Sequence, residues 1–131
     1  MSCCDASLVK IVNNSGTDFT VTASDGVVGN LHDFANGTNI PDQGSSSGGA
    51  YSSGGTDGNC SGYVTITTAN GSYSLTLNYA FTAANNRGSC PCTASAQDTV
   101  TAANYVATAV ATTGSSDGTA STVWTITTQL T

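Results

Sequence analysis

At 131 residues the chain is long enough for one domain with a real core and too short for two. Only 8% of its residues are charged, its net charge is −6, and its acids are all aspartates, set against two basic side chains, Lys10 and Arg87. Two cations cannot neutralise a phosphate backbone, so nucleic acid is excluded as a partner, as is simple electrostatic attachment to anionic lipid. No apolar run approaches the roughly 18 residues of a membrane-spanning helix. The N-terminal Met1-Ser2-Cys3-Cys4-Asp5 lacks the basic and apolar regions of a signal peptide. The expectation is a chain made without one, staying in the cytoplasm or leaving by a non-classical route to act extracellularly. The sequons at Asn13, Asn36, Asn59 and Asn70 would then be unglycosylated.

Leu8–Val12 is a short apolar run with the look of a buried strand, ended by the turn residues Asn13-Asn14-Ser15-Gly16. Phe19, Val21 and Ala23 alternate with Thr20 and Thr22, predicting a second strand that stops at Asp25-Gly26. Val27–Phe34 is a third extended stretch, ending at Asn36-Gly37. Thr38–Asn59 is rich in Gly, Ser and Asp and reads as a long loop, with one edge strand near Gly49–Ser53.

The stretch Gly62–Phe81 is the clearest. Tyr63–Thr68 is β-branched and aromatic. Tyr73, Leu75, Leu77, Tyr79 and Phe81 point one way while Ser74, Thr76, Asn78 and Ala80 point the other. Asn70-Gly71 between the arms tolerates the positive φ angles of a hairpin turn. Ala83–Gln97 reads as irregular. Thr99–Thr113 favours a strand, since Thr, Val and Tyr outweigh its alanines. Gly114–Gly118 is a turn, and Thr119–Thr131 closes the chain as a strand with Thr122, Trp124, Ile126, Thr128 and Leu130 on one face. Trp124 is expected in the core. Strands separated by regular turn signals, with no convincing helix, predict an all-β, single-domain antiparallel β-sandwich spanning residues 1–131.

Five cysteines, Cys3, Cys4, Cys60, Cys90 and Cys92, leave at least one unpaired within the chain. Disulfides are the first reading, with a bridge from Cys3-Cys4 to the Cys90-Pro91-Cys92 segment tying the N-terminus to mid-chain. Thiols and a four-thiolate zinc site are the alternatives, although the spacing lacks the paired C-x2-C of common zinc knuckles. Nothing points to catalysis. His32 and Asp33 are adjacent in an extended stretch and face opposite ways, so neither orients the other. No phosphate loop opens a helix, and Asp42 and Asp57 fit no EF-hand spacing for calcium. No cofactor is implied.

Several patches, read in order, resemble the aegerolysins, small acidic β-sandwich proteins. Val9-Lys10-Ile11-Val12-Asn13-Asn14-Ser15-Gly16 is similar to the family's opening strand and turn. Val28-Gly29-Asn30-Leu31-His32 resembles its W-G-K-L-H segment, with Val for Trp and Asn for Lys. Ile40-Pro41-Asp42-Gln43, the Gly-rich approach to Tyr63-Val64-Thr65-Ile66, and Thr125-Ile126-Thr127 are further likenesses. The resemblance implies a non-enzymatic protein that recognises membrane lipid, notably of the sphingolipid type, and in some members forms pores with a larger perforin-like partner. On that reading Val28, His32, Tyr79, Phe81 and Arg87 would form one lipid-binding surface. Two other readings stay open. One is a lectin-like module using Asn, Asp and Tyr of Gly44–Asn59, with Tyr51 stacked over a cleft containing Asp57. The other is a homo-oligomeric, self-assembling or storage protein associating through uncharged strand edges.

Overall fold

The computed structural model describes residues 7–51, 59–83, 92–100, 105–114 and 119–128, with the side chains of Val28, Ala83, Cys92 and residues 95–100 outside that description. Ten strands are arranged in two sheets: β1 (Ser7–Asn13), β2 (Phe19–Val28), β3 (Asn30–His32), β4 (Asn39–Ile40), β5 (Ser45–Tyr51), β6 (Cys60–Thr68), β7 (Ser74–Ala83), β8 (Cys92–Val100), β9 (Tyr105–Thr112) and β10 (Ser121–Thr128). Sheet A has the order β3-β5-β1-β10-β9 and sheet B the order β4-β2-β6-β7-β8. Among the described residues every pairing is antiparallel except β1 with β10, which run parallel with Ile11 beside Trp124.

The fold follows the alternation in the sequence. Along β6 and β7, Val64, Ile66, Leu75, Leu77, Tyr79 and Phe81 face inward. They meet Val9, Ile11, Trp124 and Ile126 from sheet A, so one apolar layer between the sheets holds the molecule together. The hairpin turn closes as its dipeptide requires: Gly71 takes φ 77° and donates its N–H to the Thr68 carbonyl at 2.8 Å. The outer face of sheet B is a mesh of hydroxyls, with Thr22 to Thr67 and Thr67 to Ser74 each at 2.9 Å and Thr65 to Thr76 at 3.1 Å. Such a mesh is how a chain with so few charges makes a polar surface.

Four sequence expectations are corrected. The second strand does not stop at Asp25-Gly26; β2 runs on to Val28, because two bulges, between Val21 and Ala23 and between Gly26 and Val28, bend the strand without ending it. The segment read as irregular contains β8, paired with β7 from Leu75↔Val100 to Ala83↔Cys92. The long loop contains β4 and all of β5. Last, no disulfide is present among the described residues: Cys60 is a buried thiol on the inner face of β6. Cys60 cannot be bridged to Cys92 within this sheet. β7 lies between them, Cys60 opposite Phe81 and Cys92 opposite Ala83. Two strand spacings come to roughly 9.5 Å, beyond the ~7 Å Cα limit of a disulfide. Cys3, Cys4 and Cys90 lie outside the described residues.

Two of the patches that resemble the aegerolysins meet at one end of the sandwich through a fully buried side chain. The Asn13 amide donates to the carbonyls of Thr17 and Ile40, each at 2.8 Å, and its oxygen accepts from the Ser15 N–H and hydroxyl at 3.1 and 2.6 Å. Its main chain bonds Gly44 and Gln43, and Asp42 accepts from the Gly16 N–H at 2.8 Å. Replacing Asn13 with Ala strands several buried polar groups at once. Asn13→Ala is expected to lower unfolding free energy by about 3 kcal/mol, read from the urea midpoint at unchanged slope.

Candidate functional site

The registers of sheet A bring four strands together on its outer face. His32 lies opposite Gly49, Gly49 opposite Leu8, and Leu8 opposite Ser121. Lys10, the chain's single lysine, stands on the same face one step along β1, opposite Ser47 and Val123. Five large apolar side chains are exposed among the described residues: Leu8, Val27, Tyr51, Tyr73 and Val110. Leu8, Tyr51 and Val110 all belong to this face, by the same alternation that turns Val9, Ala50 and Ala109 towards the core. Val27, 67% exposed, sits where β2 hands the chain to β3.

The paired glycines of β5 shape the patch. A Cβ on Gly48 would strike the carbonyl oxygen of His32 and lie 2.8 Å from the Phe34 ring, so the inner side of β5 is filled by backbone and Phe34. A Cβ on Gly49 would lie 2.9 Å from Cε2 of Tyr51 and 3.3 Å from its hydroxyl oxygen. The Tyr51 ring therefore lies down over the bare backbone of Gly49. There it meets His32 edge-on, ring centroids 5.0 Å apart at 82°. β3 is held short between two left-handed residues, Gly29 at φ 83° and Asp33 at φ 75°. The result is an imidazole against a partly exposed phenol ring, with Leu8 on the same face opposite Gly49 and Lys10 farther along β1. Aromatic bodies with polar tips suit an interface between apolar and aqueous phases.

Of the five residues expected to share a surface, the structure describes the side chains of three, and it sets Tyr79 and Phe81 apart from His32. His32 is exposed in the patch. Val28 ends β2 opposite Ser61, next to the Gly29 crossing, with its side chain outside the described residues. Arg87 also lies outside them. Tyr79 and Phe81 are 3% and 0% exposed and point into the core from β7, their rings 5.7 Å apart. The two rings therefore do not join His32. Burial pushes the Tyr79 hydroxyl above its ordinary value of 10.0, with Cys60 and Asp25 adding to the effect, and the hydroxyl has no hydrogen-bond partner among the described residues. A second aromatic group, Phe19, Tyr105 and Tyr73, lies at the opposite end. Its contacts are edge-on at 5.3 and 5.7 Å, and Phe19 and Tyr105 are buried, so it caps the core. Asp57, needed for the sugar-binding reading of Tyr51, lies outside the described residues. No group of three or more His, Cys, Asp or Glu able to hold a metal ion occurs among the described residues.

Tyr51, Leu8 and Lys10 were not assigned to a lipid surface from the sequence. Leu8 sits in an apolar run that reads as wholly buried, and Gly48 reads as loop just before the edge strand expected near Gly49–Ser53. The signal was the alternation Ser47, Gly49, Tyr51, visible only once Ser45–Tyr51 is taken as a strand.

Two outcomes follow. Gly48→Ala meets a backbone carbonyl and is expected to cost about 3 kcal/mol, whereas Gly49→Ala meets a ring that can swing and should cost under about 1 kcal/mol; urea unfolding compares them. For Tyr79, the folded chain holds the proton to higher pH than the unfolded chain. Stability is therefore full below the unfolded value of 10.0 and falls as pH rises above it. Tyr79→Phe removes an unpartnered hydroxyl, so it should leave stability at neutral pH equal or higher and flatten the alkaline loss, measured by denaturation between neutral and alkaline pH.

No protein-family model matches the chain, and no curated protein matches it. Solved structures do. The structure of RahU protein in complex with a TRIS molecule aligns with a TM-score of 0.68 at 12% identity, covering 99% of both chains. IP-1A from Alcaligenes faecalis aligns with a TM-score of 0.60 at 19% identity, over 98% of this chain and 94% of the other. The lipid binding protein Nakanori aligns with a TM-score of 0.61 at 10% identity, over 96% of this chain and 71% of the other. At such identities the likeness is one of fold: an all-β, two-sheet sandwich.

Proposed function

We propose that this protein is a non-enzymatic, lipid-associating β-sandwich that meets the membrane with the outer face of sheet A, through Leu8, His32 and Tyr51. The observation that supports this most is the placement of exposed apolar side chains. Leu8 and Tyr51 stand together on sheet A, beside His32, while the outer face of sheet B carries a hydroxyl mesh. A tyrosine ring and a leucine give apolar area, while the imidazole, the phenol oxygen and Lys10 offer polar contacts to a headgroup. The likeness of fold to a protein described as lipid binding is consistent with this reading. A sphingolipid-type lipid as the preferred ligand, and a perforin-like protein acting after binding, belong to the proposal as what the aegerolysin resemblance implies.

The test is co-sedimentation with liposomes of defined composition, with and without sphingolipid and sterol. Wild type should pellet with one lipid class. Tyr51→Ala combined with Leu8→Ser should weaken pelleting roughly tenfold or more, since each removes an interfacial apolar contact. Tyr79→Phe, a change in the core, should leave pelleting as it was. No pelleting with any mixture, or equal pelleting of the double variant, rejects the reading.

A further inference from the structure

Among the described residues four strands lie at sheet edges: β3 and β9 in sheet A, β4 and β8 in sheet B. An edge strand presents a row of N–H and C=O groups without a ladder partner, and proteins commonly blunt it by brevity, charge, proline or a bulge. β3 has three residues and runs into Asp33; β4 has two and runs into Pro41. β8 is long but carries Asp98. β9 lacks brevity, charge, proline and bulge, and its one cover is β8 of sheet B, which lies beside part of it. Its eight residues, Tyr-Val-Ala-Thr-Ala-Val-Ala-Thr, contain no charge and no proline, and its register with β10 is unbroken from Tyr105 to Thr112.

Burial divides β9 in two. Tyr105 and Ala107 are buried and Ala109 is packed against the core, whereas Val110 is 61% exposed and both Ala111 and Thr112 are exposed. Ala111 belongs to the inner face, so its exposure means that the second half of the strand runs clear of the core. The five residues centred on Val110, 108–112, read Thr-Ala-Val-Ala-Thr, the same in both directions, with Ala109 the last of them to touch the core.

We propose that the second half of β9 is a self-association edge, pairing antiparallel with β9 of a second copy about a two-fold axis at Val110. A two-fold interface uses the same patch twice, so its sequence must complement itself when reversed. Here it does. On the outer face Val110 meets its own counterpart, and Thr108 meets Thr112 of the second copy in both directions. On the inner face Ala109 meets Ala111 of the second copy, small against small. Directly opposed β-branched residues and Thr–Thr pairs are favourable cross-strand neighbours. The pairing joins the two A sheets into one continuous sheet. A strand of unrelated sequence could reach the same main-chain groups but would lack the matched order of side chains. Two copies of net charge −6 repel at long range, so association should strengthen with salt while the uncharged strand itself is indifferent to it.

The test combines sedimentation equilibrium of the full chain with hydrogen exchange, across roughly a hundredfold concentration range. Wild type should pass from monomer to dimer, and the amides of residues 108–112 should exchange more slowly at high concentration. Val110→Lys places like charges opposite each other at a position whose exposure in the monomer tolerates them. It should raise the dissociation constant roughly tenfold or more and leave the far-UV dichroism of the monomer unchanged. If that variant misfolds, the wild-type exchange pattern decides alone. A wild type monomeric throughout, a dimer that Val110→Lys leaves intact, or concentration-dependent protection on another edge instead of β9 overturns the proposal.

Discussion

The buried Asn13 side chain is the constraint on which the arrangement of the sheets depends. β1 must end, the chain must cross to sheet B, and the return through β4 to β5 must pass the same point. Each of these segments leaves main-chain groups away from water, and a buried polar group without a partner costs free energy. One amide meets the need: it donates to Thr17 on the way out of β1 and to Ile40 on the way back, and it accepts from Ser15. The main chain of Asn13 holds Gly44 and Gln43 in the same grip, and Gln43 takes φ 66° to allow it. With β5 fixed against β1 in this way, β3 can be added to its far edge.

That chain of positions is what builds the candidate surface. His32 is presented by a three-residue strand that exists only as a partner of β5, and Tyr51 comes from the last residue of β5. The bare backbone at Gly48-Gly49 lets Phe34 close the inside and Tyr51 cover the outside of one strand. The two faces of the sandwich then differ in kind. Sheet B ties five of its outer hydroxyls to one another, which leaves those groups little to offer a partner. Sheet A leaves leucine, tyrosine and valine exposed at its surface, where they can be covered. A surface almost without charge makes both lipid contact and self-contact physically easier, since little is desolvated and little repels at short range.

Much of this was legible before any coordinates. The β6–β7 hairpin follows from strict alternation around Asn70-Gly71, and the inward set Thr122, Trp124 and Ile126 of β10 follows from the same period of two. Where the alternation was interrupted, reading failed for identifiable reasons. Asp25-Gly26 has the chemistry of a turn, yet it pairs with Tyr63 and Gly62 of β6, and the irregularity falls after it, at Val27. Ser45–Tyr51 has the composition of a loop; it is a strand because β1 and β3 supply partners on both sides. Tyr79 and Phe81 were correctly placed on one face, but the assignment of that face to lipid conflicts with the burial of both rings against sheet A.

The all-β sandwich and the hairpin at its centre can be read from the sequence, because period-two patterning and turn chemistry are local properties of the chain. Which face is outside, the parallel run of β1 beside β10, the contact of Tyr51 with His32 and the two-strand separation of Cys60 from Cys92 emerge from the fold alone. Those are relations between residues far apart in sequence, set by which strands become neighbours. No local pattern encodes a neighbour more than a hundred residues away.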